Sequence, residues 1–264
     1  MPVSTATILR SMASFQDHKE ITYSPEMYAA AGGELLVISM LLSWTLTYFF
    51  AYDVIEDNPL KARVGYNNLC VGWDVFPAKY FAAPMFTFIV FIESRFCQLD
   101  HWRAQLDMSI QPFQKRAVMV ANVVSATSWF GAIGIFSIDP AYSPTGHTLS
   151  FVQLVVFGYV AFVCNFIETD VKYHKTGSWV FCVIFGVISL AFGICAMTQM
   201  LLYDEENQVM GPVPWYVMFC LDYSYFACMG IQGFMRPAAP SLNADYKLVS
   251  DDDYTVARDR LPLP

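Results

Sequence analysis

Six apolar blocks, each about 20 residues long, fall at 33–52, 77–97, 116–137, 149–168, 179–202 and 213–235. A helix of about 20 apolar residues spans the roughly 30 Å hydrocarbon core of a bilayer. In that medium every backbone N–H and C=O needs an internal partner, so each block predicts an α-helix. The blocks are continuous rather than alternating, which excludes a transmembrane β-barrel. Composition points the same way: 56% of residues are hydrophobic and 14% charged, against about 25% charged in ordinary soluble chains. A secreted soluble domain, a nucleic-acid binder and a disordered chain are all excluded. The expected fold class is all-α, a polytopic membrane protein built as a six-transmembrane-helix bundle.

The basic residues orient the bundle. Twelve Lys and Arg lie in the N-terminal segment, the second and fourth connections and the C-terminal segment, whereas Lys61, Arg63 and Lys79 are the three on the opposite side. The positive-inside rule then places both termini in the cytosol. The opposite side carries Asp53, Glu56, Asp57, Asp74, Asp139, Asp204, Glu205 and Glu206. Aromatic residues near the block ends, such as Tyr48, Tyr52, Trp179, Trp215 and Tyr216, suit the headgroup level. The first apolar run is too long for a signal-peptide core and reads as a signal anchor. The expected organisation is a cytosolic segment 1–32, a transmembrane domain 33–236 and a disordered cytosolic tail 237–264.

Of the seven cysteines, only Cys70 clearly faces the non-cytosolic side in this topology, so no disulfide framework is expected. Neither CxxC nor HxxxH spacing occurs, and no metal site or cofactor is expected. Phosphate-cradling glycine loops and a GxSxG nucleophile elbow are also missing.

A few polar residues need an explanation. Asp222 lies near mid-depth of the sixth block, where an acidic group costs on the order of 2.5–3.5 kcal/mol and turns to the bundle interior or to water. It reads either as a proton-linked group, cation site or catalytic acid, or as a carboxyl bonded to another helix through Asn122 or Ser125. His147 opens the fourth block after the turn Asp139-Pro140-Ala141-Tyr142-Ser143-Pro144. A histidine beside an acid can serve as general base or pH sensor, or simply as a helix N-terminal residue bonded to its loop. Glu93, Arg95, Glu168 and Asp170 read as boundary residues that snorkel to the interface. Small residues at Ala117, Ala121 and Ser125, and at Ser189 and Gly193, offer close helix approach. In the tail, Tyr246 with Val249 forms a tyrosine-based pattern of the kind sorting adaptors read, and Ser250 precedes three aspartates.

The order of these features resembles a six-span superfamily joining the DRAM autophagy modulators and the post-GPI-attachment lipid-remodelling factors, the latter similar to the N-terminal domain of a yeast ceramide-remodelling protein. The points of likeness are the run Glu93-Ser94-Arg95-Phe96, the turn Phe136-Ser137-Ile138-Asp139, His147-Thr148-Leu149-Ser150-Phe151 and Leu221-Asp222-Tyr223. The family's last acidic position is usually Glu, and here it is Asp222. The resemblance implies that His147, Asp139 and Asp222 form the working site. For the GPI branch it implies exchange of the lipid on GPI-anchored proteins in the Golgi or endoplasmic reticulum, with membrane lipids and GPI-anchored proteins as partners. For the DRAM branch it implies a non-enzymatic regulator of the lysosomal membrane, with adaptors on the Tyr246 signal. From the residues alone, a proton- or cation-linked carrier and a subunit of a larger membrane complex also stay open.

Overall fold

The computed structural model describes residues 20–108, 110–169, 171–204, 206–207, 211–237 and 241–245. The chain divides into two units. One combines residues 1–23 and 241–264, the other comprises residues 24–240.

In the first unit, β1 (Glu20–Tyr23) and β2 (Leu242–Asp245) pair antiparallel, with Glu20 opposite Asp245 and Tyr23 opposite Leu242. Within the tail 237–264, residues 242–245 form this strand. The partner strand lies more than 200 residues away in sequence, so no local pattern announces the pairing. Tyr246 and Val249 lie outside the described residues, as does Asp170.

The second unit holds the helices α1 (Pro25–Phe50), α2 (Tyr52–Glu56), α3 (Pro59–Val64), α4 (Val71–Asp74), α5 (Ala78–Leu106), α6 (Pro112–Ala132), α7 (Gly134–Ser137), α8 (Pro144–Glu168), α9 (Ser178–Leu201) and α10 (Trp215–Met235). The six long ones match the six apolar blocks. Among the described residues, five segments are long and apolar enough to cross a membrane: α1, α5, the continuous stretch Pro112–Ser137, α8 and α9. The fold is thus all-α and of a multi-pass membrane type. The fully polar or ionisable side chains Asp222 and Gln232 dilute α10, and it is not among those five.

The starts follow simple backbone chemistry. Pro25, Pro112 and Pro144 each stand in the first helical turn, where a missing N–H costs nothing and the fixed φ suits the helix. Ser143 caps α8 by accepting a hydrogen bond from the Gly146 N–H at 3.3 Å, and Gln111 and Gln114 form a reciprocal capping box on α6. Two helices outrun their apolar blocks by two turns or more. The first begins at Pro25 rather than near 33, and α5 continues past 97 to Leu106. Both extensions carry charges that pair inside the fold rather than at an interface.

The long helices pack as a closed ring in the order α1, α5, α6, α8, α9, α10 and back to α1. Aromatic side chains fill the middle, with Phe86, Phe162, Phe185 and Tyr225 all 2% exposed or less. The closest backbone approach joins α1 to α10. A Cβ on Gly233 would lie 2.3 Å from the Ala30 nitrogen, and one on Gly33 would lie 2.7 Å from the Gly230 carbonyl oxygen. Glycine is therefore required at this crossing, as expected where no hydrophobic force draws helices together in lipid. The predicted stripes contribute less. Ala121, Ser125 and Ser189 are buried, Ala117 is exposed, and a Cβ on Gly193 would meet only Val156 at an ordinary 3.6 Å.

Candidate functional site

The segment between α1 and α5 builds one wall of the site. Asn58 caps α3 by accepting from the Lys61 N–H at 2.8 Å, and its amide donates to Asn67 Oδ1 at 3.0 Å. Gly65 ends α3 at φ 80°, the left-handed conformation that glycine adopts without a Cβ clash. Beyond it, α1 pins the chain from below. Trp44 donates its indole N–H to the Leu69 carbonyl at 3.1 Å, and the Thr47 hydroxyl donates to the Gly72 carbonyl at 3.1 Å. Gln199 on α9, fully buried, donates to the Arg63 carbonyl at 3.1 Å and accepts from the Val213 N–H at 3.0 Å. One amide thus ties α3 and the approach to α10 to the end of α9.

These anchors hold Tyr66, Asn68 and Cys70 against the start of α8, the end of α9 and the start of α10, around a cavity of about 40 Å³. Its polar lining is Tyr66, Asn68, Cys70, His147, Thr148 and Asp222; its apolar lining includes Phe151, Phe192, Ala196, Met200 and Met218. At roughly 10–15 Å³ per water, it holds about three waters or a small group of heavy atoms.

Asp222 is 3% exposed. It accepts from the Tyr66 hydroxyl at 3.0 Å and from the Leu69 N–H at 3.3 Å, both on Oδ2. The partners are therefore in the α3–α4 connection, not Asn122 or Ser125 as the span register suggested; Asn122 is committed to Asp100 at 2.8 Å. Burial, then the Asp222 charge, pushes the Tyr66 hydroxyl far above its usual range, so it stays a donor. The Cys70 thiol is likewise pushed up by burial, then by the charges of Asp74 and Asp222, and is held as S–H.

His147 is 2% exposed. Its Nδ1 donates to the Ile138 carbonyl at 3.0 Å, which leaves the lone pair of the neutral ring on Nε2. That nitrogen has no hydrogen-bond partner and lies 3.6 Å from Asp74 Oδ2. Both Asp74 oxygens are buried without a donor. Burial pushes the Asp74 carboxyl up to about 7, with Lys79 opposing and Asp139 adding to the rise. A histidine and a carboxyl thus face each other across a gap with a shortage of protons between them. The ring nitrogen can accept a proton and the carboxyl beside it can hold one.

The sequence-predicted trio is only partly united. His147 and Asp222 line the same cavity. Asp139 does not join them: it is exposed, and its Oδ1 accepts from the Ala141 N–H at 2.8 Å in its own turn. Asp74 takes the place beside His147 instead. It was legible only as one of several acids on that side, since 73 residues separate it from His147 and no spacing links them.

A second polar cluster lies at the opposite ends of these helices. Arg103 pairs with Glu26, Asp100 and Glu168, the last at 3.2 Å. Asn165 donates to Asp100 at 3.1 Å and to Glu168 at 3.3 Å. Glu93 is 2% exposed, and Arg236 lies over the Phe96 ring at 4.2 Å. This corrects the reading of Glu93 and Glu168 as snorkelling boundary residues. Arg103, one helical turn beyond Asp100 on α5, supplies the counter-charge that lets Glu26, Asp100 and Glu168 sit inside. Among the described residues, no cluster of three or more His, Cys, Asp or Glu is arranged to hold a metal ion.

The chain matches no protein-family model, no curated protein and no solved structure.

Proposed function

We propose that this protein is a lipid-remodelling factor that serves the lipid part of GPI-anchored proteins at the non-cytosolic leaflet of Golgi or endoplasmic reticulum membrane. In this reading it crosses the membrane six times, keeps both termini in the cytosol and uses His147 with Asp74 to handle the proton of an acyl transfer. The observation that carries it is the unpartnered Nε2 of His147, set 3.6 Å from Asp74 in a ring lining the same cavity as Asp222. The step is a simple exchange. An alcohol oxygen attacks an ester carbonyl while its proton passes to Nε2. The carbonyl re-forms as the departing alkoxide leaves, and the proton moves from Nε2 to that oxygen. Asp74 stabilises the imidazolium in between, and the Ile138 carbonyl keeps the ring in the right tautomer. The family resemblance supports the substrate, and the apolar wall beside the polar one supports a lipid.

The test is rescue in cells lacking the corresponding remodelling factor. Wild-type chain is expected to restore surface GPI-anchored protein and the lipid on its anchor, with His147→Ala and Asp74→Asn at least tenfold weaker. Full rescue by both variants, or none by the wild type, would end this reading.

A second reading, a proton-linked carrier, draws on buried carboxyls at both ends of the bundle, Asp222 and Glu93. Proteoliposomes under an imposed pH gradient would show proton flux lost in Asp222→Asn; a tight vesicle with wild-type protein would exclude it.

A further inference from the structure

We propose that the cavity between α8, α9 and α10 receives the hydroxyl end of an uncharged lipid and rejects lipids ending in phosphate or carboxylate. The inference rests on the lipid-remodelling reading and adds the chemical class of molecule the site takes. Three observations combine. First, no Lys or Arg lines the cavity, whereas the carboxyl of Asp222 does. An anionic headgroup would enter a negative field with no cation to meet it. Second, His147 is removed from water at 2% exposure, and its Nε2 is an acceptor with no hydrogen-bond partner. A bare hydrocarbon end would leave it without a donor, while a hydroxyl supplies one. Third, the opposite wall is made of Phe151, Phe192, Ala196, Met200 and Met218. That wall suits methylene groups, and it penalises the desolvation of an ammonium more than that of a hydroxyl. The volume of about 40 Å³ admits only the end of such a molecule, so the chain itself must lie outside, along the helices.

The experiment uses the full chain in phosphatidylcholine nanodiscs and three photoactivatable, alkyne-tagged probes with matched acyl chains: a 1,2-diacylglycerol, a phosphatidic acid and a long-chain primary amine. The diacylglycerol probe is expected to label at least fivefold more than either other probe, with cross-links in peptides covering 147–152, 192–200 or 218–222. Filling the cavity with Ala196→Phe, and separately with Met200→Trp, is expected to cut that labelling at least fivefold. Equal or stronger labelling by phosphatidic acid overturns the proposal, as does preference for the amine or cross-linking confined to other helices. The wild-type comparison stands even if a filled variant does not fold. Hydroxyl selectivity without rescue of GPI-anchor lipids would remove the remodelling reading alone, and rescue without selectivity would remove this inference alone.

Discussion

At the scale of single residues, the site depends on where protons sit. The Asp74 carboxyl is raised by burial to about 7, from about 3.9 in an unfolded chain. Between these values the folded state binds the extra proton, so stability falls as pH rises from about 4 to 7 and then levels off. Asp74→Asn removes this term. Its melting temperature in detergent, measured relative to wild type, is expected to rise on going from pH 5 to pH 8, and a constant difference would show that Asp74 does not titrate in that window. Asp222 acts differently, because it satisfies two buried donors, the Tyr66 hydroxyl and the Leu69 N–H. Asp222→Leu strands both and is expected to cost about 2–4 kcal/mol, at roughly 1–2 kcal/mol per unmet donor. Asp222→Asn keeps an acceptor and should cost less than half as much. Denaturation of the two variants side by side checks the order.

Between helices, two kinds of contact hold the ring closed, and they fail in different ways. The α1–α10 crossing relies on missing side chains: a Cβ on Gly233 would overlap the α1 backbone at 2.3–2.5 Å. The overlapped atoms are backbone and cannot yield by a change of rotamer, so Gly233→Leu must separate the pair. It is expected to abolish a disulfide engineered across α1 and α10 that forms in the otherwise wild-type chain. The Arg103 cluster relies on charge. Arg103 joins α1 through Glu26 and α8 through Glu168, while Asp100 on its own helix also accepts from Asn122 on α6. Replacing Arg103 by Leu leaves three carboxylates facing one another inside the bundle, with an expected loss of about 3–5 kcal/mol. Thermal unfolding in detergent tests it, and a neutral outcome would mean the cluster is hydrated and weak.

For the whole molecule, the question is which helices cross. Among the described residues, five segments qualify by length and composition, and α10 is the long helix left out because it carries Asp222 and Gln232. Within the ring these groups face inward at 3% and 2% exposure, so the outer face of α10 carries no charge. If all six cross, an N-glycan acceptor placed in the 139–143 turn or in the 202–214 connection is modified, and one at either terminus is not. Modification of the tail together with the 202–214 connection would reduce the count to five and put the termini on opposite sides.

The sequence by itself determined the helical class, the membrane setting and the approximate position of every long helix. Those follow from local quantities: apolar length, proline at helix starts and the distribution of basic residues. It also singled out Asp222 and His147, because a carboxyl at mid-depth and a histidine at a helix start are unusual in any apolar block. The tertiary structure decided their partners. Tyr66 meets Asp222 across 156 positions of chain, Asp74 rather than nearby Asp139 faces His147, and Glu168 turns inward to meet Arg103. Gln199 and the glycines of α1 and α10 belong to the same group. Hydropathy sums over neighbours along the chain, whereas a buried hydrogen bond or a backbone crossing joins residues that only helix rotation and packing bring together.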